Sequence, residues 1–214
     1  EPLAALIQEG NQAVKRKAFT KALEFYQTAL QKDPHELIAV HNQAWVYLLQ
    51  LKQEEAKIAF NKVIHHHPKL GLCFLGRGTL YFIQASYYQA FKDFNQQIAI
   101  TPQEPFAYYK RGVVYKYWKE YPEALEDFNQ SLKRDPHLQL AYYQRGTIYQ
   151  ALKKYKEAMN DFNQALLLDV NDINSYMARG SLYDEMQLFY QALDDYRKAL
   201  ILHPELDTIY LYRG

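Results

Sequence analysis

Residues 105–138 read PFAYYKRGVVYKYWKEYPEALEDFNQSLKRDPHL, and the same pattern falls into register with the rest of the chain every 34 residues. Within this stretch, Phe106–Trp118 and Tyr121–Leu132 each place apolar residues at three- and four-residue steps, the spacing of an amphipathic helix. Pro136 follows the second segment, where a residue without an N–H ends a helix and forces its predecessor into extended backbone. Moving outward by 34 residues reaches Pro34, Pro68, Pro102 and, two periods on, Pro204. Gly10, Gly78, Gly112, Gly146 and Gly180 keep the same register, with Ala44 in the remaining slot. So do Ala22, Ala56, Ala90, Ala124, Ala158 and Ala192, and the rings Tyr26, Phe60, Phe94, Phe128, Phe162 and Tyr196. Small residues are expected where helices approach closely, and the periodic rings should fill the space between hairpins.

Composition fits a folded array. Hydrophobic residues make up 49% and charged ones 23% of 214 residues, a balance that excludes wholesale disorder. Lys and Arg total 25 against 24 acids, too even for a general nucleic-acid binder, which needs a clear excess of base. One cysteine, Cys73, excludes an internal disulfide framework. No apolar run reaches the length of a membrane span, so no membrane insertion is expected.

The motif Tyr108-x-x-Arg111-Gly112-x-x-Tyr115, then Ala124-x-x-x-Phe128 and Pro136, resembles the tetratricopeptide repeat. It recurs as Phe74/Gly78/Tyr81/Ala90/Phe94/Pro102, as Tyr142/Gly146/Tyr149/Ala158/Phe162, and as Tyr176/Gly180/Tyr183/Ala192/Tyr196/Pro204. Six repeats are expected at 3–36, 37–70, 71–104, 105–138, 139–172 and 173–206. Residues 207–214 open a seventh, so the chain is expected to be part of a longer one. Val170, in place of the fifth proline, should soften that boundary. The resemblance implies an all-α, right-handed superhelical solenoid of antiparallel helix hairpins, first helices lining its concave side.

Counting from the first residue of each repeat, position 7 is Arg77, Arg111, Arg145 and Arg179 in repeats three to six, and position 23 is Asp93, Asp127, Asp161 and Asp195. Repeats one and two have neither. Residue types that appear and vanish together are expected to be structural ion pairs rather than a ladder for an anionic ligand, since an arginine with its carboxylate in place has little left to offer. The adjacent His65, His66 and His67 point about 100° apart on a helix and cannot converge on one metal ion. Nothing in the sequence calls for a cofactor, and no glycine-rich phosphate loop, nucleophile elbow or zinc-binding helix supports catalysis.

The resemblance implies that positions 2, 5, 9, 12 and 13 of each first helix face the groove. The candidate partner-binding residues are Ile38, His41, Trp45 and Leu49 in repeat two, and Leu72, Leu75 and Phe82 in repeat three. Phe106, Tyr109, Lys116 and Tyr117 follow in repeat four, Leu140 and Tyr143 in repeat five, and Asp184 and Glu185 in repeat six. An apolar surface of that extent would mark a binding site for a protein or peptide with apolar side chains. Chaperone-binding members of the family hold a terminal carboxylate with Lys, Asn, Asn, Lys and Arg at set positions. This chain has Ile7, Asn11, Asn42, Leu72 and Gly76 there, so all three cations are missing and no such carboxylate-clamp ligand is expected. The expected function is therefore a non-enzymatic interaction scaffold. The alternatives are a targeting or regulatory part of a larger enzyme, or a structural array whose groove is filled by the protein's own flanking helix or, by self-association, by another copy.

Overall fold

The computed structural model describes residues 2–204, so the seventh repeat expected at 207–214 lies outside the described residues. Two helices fall in each 34-residue block, and no strand occurs among the described residues. The chain divides into two units, Glu1–Gln103 and Glu104–Gly214. The first holds three hairpins: α1 (Leu3–Lys15) with α2 (Phe19–Lys32), α3 (Leu37–Leu49) with α4 (Gln53–His66), and α5 (Gly71–Ile83) with α6 (Tyr87–Ile100). The second holds α7 (Pro105–Tyr117) with α8 (Tyr121–Arg134), α9 (Gln139–Ala151) with α10 (Tyr155–Leu168), and α11 (Ile173–Glu185) with α12 (Phe189–Leu202). Within each unit the first helices contact one another in a row, and each second helix also packs on the next first helix. These are all-α helical stacks of the solenoid kind.

The glycine–ring pairs explain the hairpins. A Cβ added to Gly146 would lie 2.8 Å from Phe162, and one on Gly180 only 2.5 Å from Tyr196. Phe60, Phe94, Phe128 and Phe162 are fully buried, so each ring lies directly on the glycine backbone of its own first helix or on a neighbour. Repeat two shows how the exception is absorbed. Ala44 has a methyl where glycine usually stands, and the Phe60 ring lies against Gly76 of the next repeat, where an added Cβ would meet it at 2.3 Å. Gly76, out of register in sequence, supplies that room.

Helix boundaries differ from expectation in two ways. In repeat four the first helix begins one residue earlier and ends at Tyr117, and the second runs on to Arg134. The absence of proline at Val170 does not soften its boundary. α10 ends at Leu168, in the same register as Arg134, and Asp169 takes φ −137° and ψ 97°, close to the −134° and 94° of Asp135 before Pro136. The physical reason is a side-chain turn. Asp169 Oδ1 accepts from Asn171 N at 3.0 Å, as Asp33 and Asp135 accept from His35 and His137, each at 2.9 Å.

Between the helices of every hairpin one residue takes the left-handed conformation: Lys17, Leu51, Ala85, Lys119, Lys153 and Gln187, at φ between 56° and 63°. The bonds Lys153 N to Gln150 O and Lys154 N to Tyr149 O close the turn, as the corresponding pairs do elsewhere. None of the six is glycine, although a Cβ in this region costs about 1 kcal/mol or more. Lys153→Gly should accordingly raise the unfolding free energy by about 0.5–1 kcal/mol, net of the freedom glycine adds to the unfolded chain. A lower melting temperature for this variant would show that the turn is set by side-chain contacts instead.

Candidate partner-binding face

Each position-7 arginine is consumed by its own surroundings. Arg145 donates from Nε to Asp161 Oδ2 at 2.8 Å and from Nη2 to Oδ1 at 2.7 Å. Arg77–Asp93, Arg111–Asp127 and Arg179–Asp195 have the same bidentate form, each within one repeat. The aspartates are 2–7% exposed at the side chain and the arginines 17–21%. Rings at positions 4 and 11 flank the guanidinium: Tyr142 and Tyr149 have centroids 5.6 and 5.9 Å from the Arg145 Cζ. Burial lifts the Asp127 and Asp161 carboxyls against the opposing pull of their arginines.

A further partner was not recognised in the sequence. Arg77, Arg145 and Arg179 also donate from Nη1 to Asn61, Asn129 and Asn163 of the preceding repeat, at 2.6–2.7 Å. Asparagine stands at position 25 in repeats two to five, one repeat ahead of the arginines in repeats three to six. That offset was the available signal.

The candidate face resolves into an open and a covered part. Positions 2 and 13 are open: Ile38 is 51% exposed, Leu49 54%, Leu72 45%, Tyr117 58% and Leu140 42%. Ile83 joins them and Phe106 is half-buried. Position 5 is different. Leu75 and Tyr109, expected to face a partner, are 8% and 7% exposed. Their direction on the helix turns them into the packing, and the Tyr109 ring lies 6.1 Å from that of Phe128. Trp45 and Phe82 are half-buried, with Trp45 set edge-on to Phe60 at 5.8 Å and Phe82 to Tyr87 at 5.3 Å. They support the face more than they present it.

Its polar members are hydrogen-bonded. Trp45 Nε1 donates to His41 Nε2 at 3.1 Å, leaving His41 Nδ1 to donate to Asn42 Oδ1 at 3.0 Å. The imidazole is therefore neutral, and burial lowers its pKa. Asn42 donates in turn to Asn11 at 2.7 Å, and Tyr26 OH donates to the same oxygen at 2.7 Å. Asn11, Asn42, Trp45 and Leu49 border a depression of about 320 Å³ in the first unit, with Lys15 also lining it. Tyr143 is half-buried on α9 beside a second depression, about 240 Å³, in the second unit. Lys116 Nζ donates to Gln144 Oε1 at 2.7 Å and to Thr147 Oγ1 at 2.6 Å. Asp184 accepts from Tyr196 OH, and Glu185 from Gln150 Nε2, each at 2.6 Å.

Away from this face, Cys73 is fully buried among repeat-two side chains, and burial pushes its thiol up to about 12. The His66 ring is 4.9 Å from His35 and 5.1 Å from His65. Among the described residues no group of three His, Cys, Asp or Glu is arranged to hold a metal, and no helix is long and apolar enough to cross a membrane.

Models described as the tetratricopeptide repeat match residues 39–70, 105–138, 140–172 and 173–204. Comparison with curated proteins gave no match. Among solved structures, a chain in the APC/C hetero-tetramer Cut9-Hcn1 aligns with a TM-score of 0.91 at 18% identity, over 98% of this chain and 42% of its own length. The present chain thus spans less than half of that one. PilF of Pseudomonas aeruginosa aligns at 0.87 with 16% identity, over 99% and 96% of the two chains. YrrB, described as a TPR protein with an unusual peptide-binding site, aligns at 0.65 with 18% identity, over 88% and 96%. At such identities these likenesses show a shared fold.

Proposed function

The chain belongs to the tetratricopeptide repeat family, whose arrays serve as protein–protein interaction scaffolds, and from that premise we propose that this one is non-enzymatic and holds an apolar segment of a partner protein on its first helices. One observation carries the reading: the open side chains at positions 2 and 13. Ile38, Leu49 and Leu72 are about half exposed in the first unit, and Tyr117 and Leu140 in the second. At 42–58% exposure they contribute little to the cores of their own hairpins. Large aliphatic and aromatic groups held rigidly on helices are suited to the pockets-and-anchors mode of peptide recognition. The commitment of all four position-7 arginines to internal aspartates supports the same reading, because it removes the most obvious anionic-ligand ladder. YrrB is a relative in fold for which peptide binding is described, and it sets a precedent without fixing the site.

Peptides selected from a random displayed library against the intact chain should be rich in large apolar residues. The double variant Ile38→Glu/Leu49→Glu should weaken a selected first-unit ligand by roughly 2 kcal/mol or more, with an unchanged circular dichroism spectrum. Both positions are open, so their loss leaves the core intact, whereas Trp45→Ala would also remove the ring packed on Phe60. Unchanged affinity in calorimetric titration would move the binding site to the second helices. A solution mass of two chains, lost in the same variant, would instead make a second copy the occupant.

A further inference from the structure

Lys116 differs from the four position-7 arginines. It lies half-buried on α7, and among the described residues its ammonium reaches Gln144 and Thr147 of α9, at 2.7 and 2.6 Å, both neutral acceptors. Thr147 spends its own proton on the Gln144 carbonyl at 2.7 Å. An ammonium has three N–H groups and two are used here. No carboxylate of the described residues pairs with it. Burial lowers its pKa, as expected for a cation stripped of water without an anion to replace it. The open ring of Tyr117 follows it in sequence.

The opposite situation holds on α11. Glu185 is exposed and accepts from the neutral Gln150 amide, and Asp184 accepts from the Tyr196 hydroxyl. No cation of the described residues pairs with either. On repeats five and six, Tyr143, Asn174, Met177, Ser181 and Tyr196 line the depression of about 240 Å³, which has room for one large side chain. The helices α7, α9 and α11 contact one another in sequence.

We infer that the first helices of the second unit bind an extended partner segment in one direction only, with an Asp or Glu on Lys116, an apolar side chain in the Tyr143–Met177 depression, and a Lys or Arg at Glu185 and Asp184. This rests on the peptide-scaffold reading above and specifies its partner. The argument is charge complementarity. A half-buried ammonium bonded only to neutral groups gains from a carboxylate brought by a ligand, because the alternative is a partly desolvated charge left unpaired. The acidic end gains similarly from a base, though less, since Glu185 is exposed. Two helix spacings of about 8–10 Å each separate α7 from α11, which an extended chain at about 3.3 Å per residue crosses in roughly five or six residues. Reversing such a segment would set like charges together, so the two ends fix direction as well as composition.

The test is selection of random displayed 12-residue peptides on the intact chain and on its Lys116→Gln and Glu185→Gln variants. The wild-type pool should be enriched in an acid and, about five or six residues away in constant order, a base, with large apolar residues between. The Lys116→Gln pool should lose the acid and keep the apolar residues, and the Glu185→Gln pool should lose the base. A peptide from the wild-type pool should lose about tenfold in affinity when its acid is changed to the amide, a measurement independent of how any variant folds. An apolar wild-type pool without the acid–base pair overturns the inference and leaves the scaffold reading standing. A pool with no apolar enrichment overturns both.

Discussion

Arg145→Met is expected to lower the unfolding free energy by about 3–5 kcal/mol, one of the two largest single-site effects in this chain. The substitution keeps most of the side-chain bulk and removes the charge, so Asp161, 2% exposed at its side chain, is left buried with no counter-charge. It also removes the bond to Asn129 and the contacts with Tyr142 and Tyr149. Adding Asp161→Leu should restore much of the loss, because an apolar pair of similar volume avoids the desolvation penalty that the ion pair must offset. Urea unfolding of the two single variants and the double gives the coupling directly. A cost below about 1 kcal/mol for Arg145→Met would place the pair among exposed ion pairs, in conflict with its burial.

Phe162→Ala should cost a comparable 3–5 kcal/mol, since a fully buried ring is replaced by a cavity in the α9–α10 hairpin. Its sharper consequence concerns Gly146. In the native chain Gly146→Ala should destabilise by about 1–3 kcal/mol, because the new Cβ would sit 2.8 Å from the Phe162 ring. In the Phe162→Ala background that ring is gone and the Asp161 Cβ at 3.2 Å is the remaining close neighbour, so the same change should stabilise by up to about 1 kcal/mol through helix propensity. Melting temperatures of the four proteins read this reversal of sign. Additive effects would mean the ring and the glycine do not constrain each other.

The fold was legible because a 34-residue period repeats glycine against ring, each repeat vouching for the others. The Arg–Asp pairs were legible for a related reason: four occurrences and two joint absences tie position 7 to position 23. What stayed hidden lacks that form. The bond from arginine to asparagine joins neighbouring repeats, so its sequence signal is displaced by one period. The left-handed turns are occupied by Lys, Leu, Ala and Gln, residue types that announce nothing about backbone angle. Gly76 is a compensation for Ala44, legible only once the Phe60 ring is seen between them. On the candidate face, helical periodicity assigned the stripe but not its depth. Leu75 and Tyr109 lie within the arc that the family resemblance assigns to a partner, yet both are buried, Tyr109 against Phe128. The isolation of Lys116 could not be read at all, because it is a statement about which side chains are not nearby.

The arginine that closes its own hairpin also grips the hairpin before it, and this bears on how motion travels. For Arg179 to release Asp195, the bond to Asn163 must reorganise as well, and Arg145 binds Asp161 to Asn129 in the same way. A local opening in α11 and α12 is therefore communicated to α10, and one in α9 and α10 to α8. Repeats one and two have no such arginine grip, since Gln43 replaces the arginine, and they are linked instead by the Asn42–Asn11 bond between first helices and by Lys62 Nζ donating to the Pro34 carbonyl at 2.9 Å. Fluctuations in the second unit should thus be correlated over several hairpins, while α1 and α2 fluctuate largely on their own. A ligand ordering one hairpin of the second unit would stiffen its neighbours without moving any of them.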